Sequence, residues 1–252
     1  AVSDKMKRDP APRGMQLADA NERRKMATNP IDLKKEQLAT LARPGLNYSL
    51  PARMFFRAFD LLTGSRTTLS KLKLLELLAA IPYRAWEIRE YQKLTRSFAD
   101  GERMRQGLRL VSWARNAQDN EYRHLLLLHE KITVDQHRQS WFLCPALVRP
   151  MVLFYRLFAW ILAKFSLRGS IFFNAEFEDH AEHVYAEFVR EHPELEGQLV
   201  AGPLAQAYGE FASWADLFRR VSLDERDHRN SSFYFCGRFH DIISYNGMPE
   251  SH

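Results

Sequence analysis

Apolar residues along this chain recur every three or four positions, and no stretch alternates apolar with polar in the manner of a half-buried strand. The pattern therefore predicts an all-helical protein. Residues 1–28 are charged, contain Pro10, Pro12 and Gly14, and show no apolar period, so they read as an extended arm. A short helix is expected over 30–42. In LPARMFFRAFDLL, Phe55, Ala58, Phe59 and Leu62 share a face opposite Arg53 and Arg57, the signature of an amphipathic surface helix. A strongly helical pattern covers 69–93, with Pro82 inside it as an expected kink. Asp100 and Gly101 then break the chain, and the next helix is expected over 104–132. The stretch 141–167 is the most apolar, but Pro145, Arg149, Pro150, Arg156 and Lys164 interrupt it. A spanning helix wants about 20 nearly uncharged residues. This one reads instead as a helix lying in one leaflet with its cations reaching the headgroups, ended by Gly169. Further helices are expected over 170–191, closed by Pro193, and over 214–235, with a loop-rich stretch between them.

Length and hydrophobic content change this picture little. At 252 residues and 46% hydrophobic, the chain suits one domain with a real core plus tails. The expected division is a basic, partly extended arm over 1–45, a helical domain over 46–240 and a C-terminal tail over 241–252. The formal charge of +5 is spread along the chain rather than gathered in a block. Its cations sit among bulky apolar residues, which favours a membrane surface over nucleic acid. Cys144 and Cys236 are the only cysteines and lie far apart, so no disulfide framework is expected. No secretory signal is expected at the start. No Walker loop, GxGxxG or GxSxG is present, which removes the commonest nucleotide-binding and serine-hydrolase readings.

Candidate chemistry changes the picture more. Glu121 and His124 in NEYRH, and Glu225 and His228 in DERDH, form two Glu-x-x-His pairs. Positions i and i+3 share a helix face, so each pair aims a carboxylate and an imidazole at one point. Glu76 lies in LLELLAAIP, a run so apolar that burying a carboxylate there is costly unless it meets a cation or metal. The segment FNAEFEDHAEHVY supplies a further candidate set: Glu176, Glu178, Asp179, His180, Glu182 and His183. Glu178 and Glu182 share a face, and spacing does not choose between them. Single glutamate, pair, single glutamate, pair is an order that lets an antiparallel bundle bring six side chains to one level. Four carboxylates and two imidazoles are the ligand set of a ferritin-like four-helix di-iron bundle, here with added amphipathic membrane-surface helices. Tyr185, seven residues beyond Glu178, shares its face. It reads either as a half-buried tyrosine with a satisfied hydroxyl or as a donor of an electron and a proton beside two irons.

LELLAAIP, NEYRH, EDHAEHVYAEF and DERDH together resemble the four boxes of the alternative oxidases, the cyanide-insensitive quinol oxidases, and look closest to their plastid terminal oxidase branch. The resemblance spans roughly residues 50–235, with all four boxes in order. It implies metal ligands Glu76, Glu121, His124, Glu178, Glu225 and His228, with Glu178 preferred because it stands seven residues before the matching Tyr185, the implied catalytic tyrosine. Asn120 and Asp224 match residues that hydrogen-bond the ligands and fix their orientation. Ala181 matches a small residue lining the quinone approach, and the residues near Phe59, Lys71, Leu75 and Ala181 are the implied candidates for the quinol channel. Departures fall around that quinone site. Ser222 stands where the family has an arginine, with Arg220 the nearest replacement, Tyr122 and Lys71 also replace arginines, and a histidine expected shortly before Glu178 is missing.

The resemblance implies a membrane-bound di-iron quinol oxidase that reduces oxygen to water without pumping protons. Its cofactors would be two iron ions, and its partners quinol, oxygen and a membrane surface, with no nucleic acid. It would work as a homodimer or within a membrane complex. The implied location is the mitochondrial inner membrane, with the bacterial cytoplasmic membrane or the thylakoid as alternatives. Two other readings use the same features: a di-iron hydroxylase of quinone biosynthesis, and an oxidase-like accessory subunit of a larger respiratory membrane complex.

Overall fold

The computed structural model describes residues 31–249. Among these there are eight α-helices and no strand: α1 (Leu33–Ala42), α2 (Leu50–Thr63), α3 (Leu69–Ser97), α4 (Gly101–Val134), α5 (Pro145–Phe165), α6 (Leu167–Glu191), α7 (Pro203–Tyr208) and α8 (Trp214–Phe235). The expected extended arm over 1–28 lies outside the described residues. Six of the starts are set by a local polar side chain. Asp32, Ser49, Thr68, Asp100, Ser166 and Ser213 each accept a hydrogen bond from a backbone N–H of the first turn, satisfying a donor that the helix cannot.

The four long helices form a bundle of two antiparallel pairs. α3 and α4 are joined by only three residues and pack along their length. α6 and α8 also pack along their length. Glu182 meets Arg226, Asp179 meets Arg229 and Asn174 meets Ser232, so the register runs in opposite directions. α4 touches α8 and α3 touches α6, which closes the bundle. Apolar clusters around Phe188, Trp214 and Phe218, around Trp86, Trp113 and Phe233, and around Phe56, Leu75 and Phe177 fill the space between helices.

Two boundaries differ from the sequence expectation. α5 ends at Phe165 rather than at Gly169. Ser166 is extended, at φ −149° and ψ 96°, and its hydroxyl caps α6, which places Gly169 inside the first turn of that helix. α3 runs on through Pro82 as one helix of 29 residues. α5 itself departs from expectation in composition. Its best 18-residue window has a mean hydropathy of 1.6, so by length and composition it is apolar enough to cross a membrane despite its cations. Only 17% of that window is buried. Tyr155, Ala159 and Ala163 face the bundle, while Leu153, Phe154, Leu157, Trp160 and Ile161 face outward.

Candidate metal centre

The helical pattern places Glu76 on α3, Glu121 and His124 on α4, Glu178 on α6, and Glu225 and His228 on α8. All six meet in the middle of the bundle. They form two overlapping groups, Glu76–Glu121–His124–Glu225 and Glu121–Glu178–Glu225–His228, each with ligand atoms within 4.8 Å of one another. Glu121 and Glu225 belong to both, so two neighbouring ions would share them. Five of the six side chains are wholly buried and His228 is 8% exposed.

Hydrogen bonding decides what such a cluster is for. Glu76 Oε2, both oxygens of Glu121 and Glu225, Glu178 Oε2, and Nδ1 of His124 and His228 are buried without a hydrogen-bond partner. His228 Nδ1 lies 2.6 Å from Glu121 Oε1, and His124 Nδ1 lies 3.0 Å from Glu225 Oε1, yet neither pair has hydrogen-bond geometry. Buried polar groups are nearly always paired, and an unpaired carboxylate in a dry core is costly. Eight such atoms converging on one space are explained together by cations among them. Oxygen and imidazole donors of this kind suit divalent first-row metals.

The atoms that turn away from the cluster are the ones that are held. Tyr185 donates to Glu76 Oε1. Tyr83 donates to Glu178 Oε1 at 2.7 Å, and Asn174 Nδ2 donates to the same oxygen at 2.8 Å. His124 Nε2 lies 3.0 Å from the Tyr208 hydroxyl and 3.4 Å from Asp224 Oδ2, and Tyr208 donates to Asp224. With Nδ1 reserved for the cluster, Nε2 carries the proton, and this relay fixes both tautomer and ring angle. Burial, followed by the charges of Glu225 and Glu121, raises Glu76 well above the ordinary carboxylate value. Burial, then Glu121 and Glu225, does the same to Glu178.

No protein-family model matches this chain, and no curated protein matches it.

The remaining expected site residues divide by position. Asp224 holds His124 as described, and Arg220 reaches Asp224 Oδ1 with Nε at 2.9 Å. Ser222 donates to the Glu182 carbonyl. Asn120 makes no side-chain hydrogen bond among the described residues. It lines a cavity of about 280 Å³ beside His228, together with Asp224, Asp227 and Asn230. Lys71 is buried, with Nζ 2.6 Å from Asp60 Oδ1 and 2.9 Å from the Gly64 carbonyl. Leu75 and Ala181 lie with Phe59 in one apolar cluster. Phe59 also lines an apolar cavity of about 530 Å³ between α2 and α5, which Lys71, Leu75 and Ala181 do not reach.

The other candidates on α6 serve the fold. Glu182 takes Arg226 at 2.8 Å, Thr40 at 2.7 Å and Arg43 at 2.7 Å. Asp179 takes Arg229 at 2.7 Å and Tyr48 at 2.9 Å. Glu176 binds Ser49 at the start of α2, and His183 bonds backbone carbonyls. His180 stacks on Phe56 at 4.1 Å, and burial lowers its pKa to about 4. The helical pattern alone does not single out Tyr83, Asn174 or Tyr208. Tyr83 stands seven residues after Glu76, as Tyr185 stands seven after Glu178, and that repeat was the available signal.

Proposed function

We propose that this protein is a ferritin-like di-iron quinol oxidase bound to one leaflet of a membrane, reducing oxygen to water. The observation that carries the reading is the set of eight buried, unpartnered donor atoms from six side chains on four helices. Glu76, His124, Glu121 and Glu225 would hold one iron, and Glu178, His228, Glu121 and Glu225 the other. When bound, such a pair supplies a place for oxygen and a store of electrons. Two quinols give four electrons and four protons to one oxygen, leaving two quinones and two waters.

The protein's own residues do the rest. Tyr185, donating to Glu76, stands where it can pass a proton and an electron across one hydrogen bond. Tyr83 and Asn174 hold Glu178 on the opposite side. The surrounding apolar clusters keep water away from the six ligands. The apolar cavity beside Phe59 opens between α2 and α5, the two helices with outward apolar faces, and suits a lipid-soluble substrate. Arg149, Arg156 and Lys164 on α5 favour a helix in the headgroup plane over a span, because its other face is packed on the bundle.

The test is metal analysis joined to oxygen uptake. The purified protein should carry about two irons per chain and consume oxygen on addition of a quinol with cyanide present. Iron-free protein that consumes none would end the proposal. Recovery of a quinone ring carrying a new oxygen would reassign it as a hydroxylase.

A further inference from the structure

We propose that the end of the bundle where α3 and α8 finish and α4 and α6 begin is a binding site for the phosphate headgroup of an anionic phospholipid. A cavity of about 550 Å³ opens there. It is lined by the cations Lys93, Arg103 and Arg168 and by one carboxylate, Glu90. That carboxylate is already engaged, by Arg89 and by Lys93 at 3.2 Å. Arg103 and Arg168 have no carboxylate partner among the described residues, and Arg168 spends only its Nε, on the Cys236 carbonyl at 2.7 Å. Two guanidinium groups with free donors on one cavity are suited to the paired oxygens of a phosphate. Helix dipoles do not favour an anion here, because the starts of α4 and α6 are opposed by the ends of α3, α5 and α8. The side-chain charges do.

The apolar part of the cavity selects a lipid over a free ion. Leu94, Leu110, Leu167, Ile171 and Phe235 form a wall that a bare phosphate would leave wet. The C-terminal end of α5 lies close to this wall along the chain. Phe165, the last residue of that helix, is 83% exposed and stands two residues before Leu167 in the wall. Phe98, just past the end of α3, is 75% exposed and stands four residues beyond Leu94. A lipid with its chains along α5 would thus bring its headgroup to Arg103 and Arg168. This inference does not depend on the metal centre.

Flotation with vesicles tests it on the full chain. Vesicles of phosphatidylcholine alone are compared with vesicles that also contain phosphatidylglycerol. Each cation at a charged surface is worth about fivefold in binding, so Arg103→Gln should weaken binding to the anionic vesicles by about that factor. Arg103→Gln with Arg168→Gln should weaken it further, and binding to the neutral vesicles should stay unchanged. Arg103 is exposed and supports no packing, so the single variant remains informative if the double variant unfolds. Arg123→Gln with Arg138→Gln removes two exposed charges elsewhere. An equal loss in that pair, or no loss in the Arg103 variant, would overturn the site in favour of diffuse attraction. Full displacement of the protein from anionic vesicles by inorganic phosphate, at constant ionic strength, would overturn the choice of a lipid.

Discussion

Glu178 and Glu182 stand one turn apart on α6, and the sequence could not choose between them. The choice is made by partners on other helices. Glu178 Oε2 faces the ligand cluster, while both oxygens of Glu182 are taken by Thr40, Arg43 and Arg226. The two alanine variants should therefore fail differently. Glu178→Ala removes a ligand whose carboxylate its neighbours repel, along with the acceptor of Tyr83 and Asn174, so bound metal should fall while the metal-free protein melts only slightly lower. Glu182→Ala takes from buried Arg226 one of its two carboxylates, leaving Glu36 at 2.5 Å, and also frees Thr40 and Arg43, a loss of about 1–3 kcal/mol, so it should lower the melting temperature. Melting curves and metal content on both variants separate these outcomes. The two tyrosines were legible in part. Glu76 to Tyr83 and Glu178 to Tyr185 repeat the same spacing. Yet each hydroxyl crosses to the other helix's glutamate, Tyr83 to Glu178 and Tyr185 to Glu76. That exchange depends on how α3 and α6 pair, which no local pattern encodes. Tyr185→Phe should keep the metal and slow quinol-dependent oxygen uptake, and unchanged uptake would leave Tyr185 a packing residue. Tyr83→Phe should cost about 1 kcal/mol of stability, read by denaturant unfolding.

Periodicity located every long helix, because an amphipathic stripe is written into the residues themselves. Ends were harder. The apolar run points to an α5 that reaches Gly169, but the hydroxyl of a serine three residues earlier accepts from the Gly169 N–H, and a capped start outweighs a glycine as a boundary. Pairing of elements was less legible still. Gly107 on α4 shows why. A Cβ placed there would lie 2.7 Å from Leu94 Cδ2 on α3 and 3.2 Å from its Cγ. The sequence shows a glycine inside a helix, which looks like a weakness, whereas the fold uses it for a close helix crossing. Gly107→Val should push α3 and α4 apart at that level and cost about 1–3 kcal/mol. A denaturation midpoint equal to the parent's would mean Leu94 simply turns aside.

For the molecule as a whole, six ionisable ligands at the centre tie stability to both pH and metal. In the metal-free protein, burial and neighbouring carboxylates raise Glu76 and Glu178 well above 4.5. His124 is raised well above 6.5: burial opposes this, but Tyr208, Asp224 and the glutamates outweigh it. His228 is raised likewise, with Glu121 and Glu225 outweighing burial. A group whose folded pKa exceeds its unfolded value stabilises fully below the unfolded value, and that contribution is lost as pH rises through the folded one. Glu121 runs the other way. Burial raises it, but His228 and His124 hold it below the usual range, so its contribution is present above 4.5 and lost as pH falls. Above 4.5 Glu121 no longer changes, so the four raised groups predict that the contribution of this cluster to metal-free stability falls as pH rises from 4.5. A bound metal must displace those same protons, so its affinity, and the stability it adds, grow with pH. The gap in melting temperature between metal-loaded and chelator-treated protein should therefore widen from about pH 5 to about pH 8. Scanning calorimetry across that range measures it. A constant gap would mean that metal and protons do not compete for these side chains, and that any metal held by the protein is bound somewhere other than the centre of the bundle.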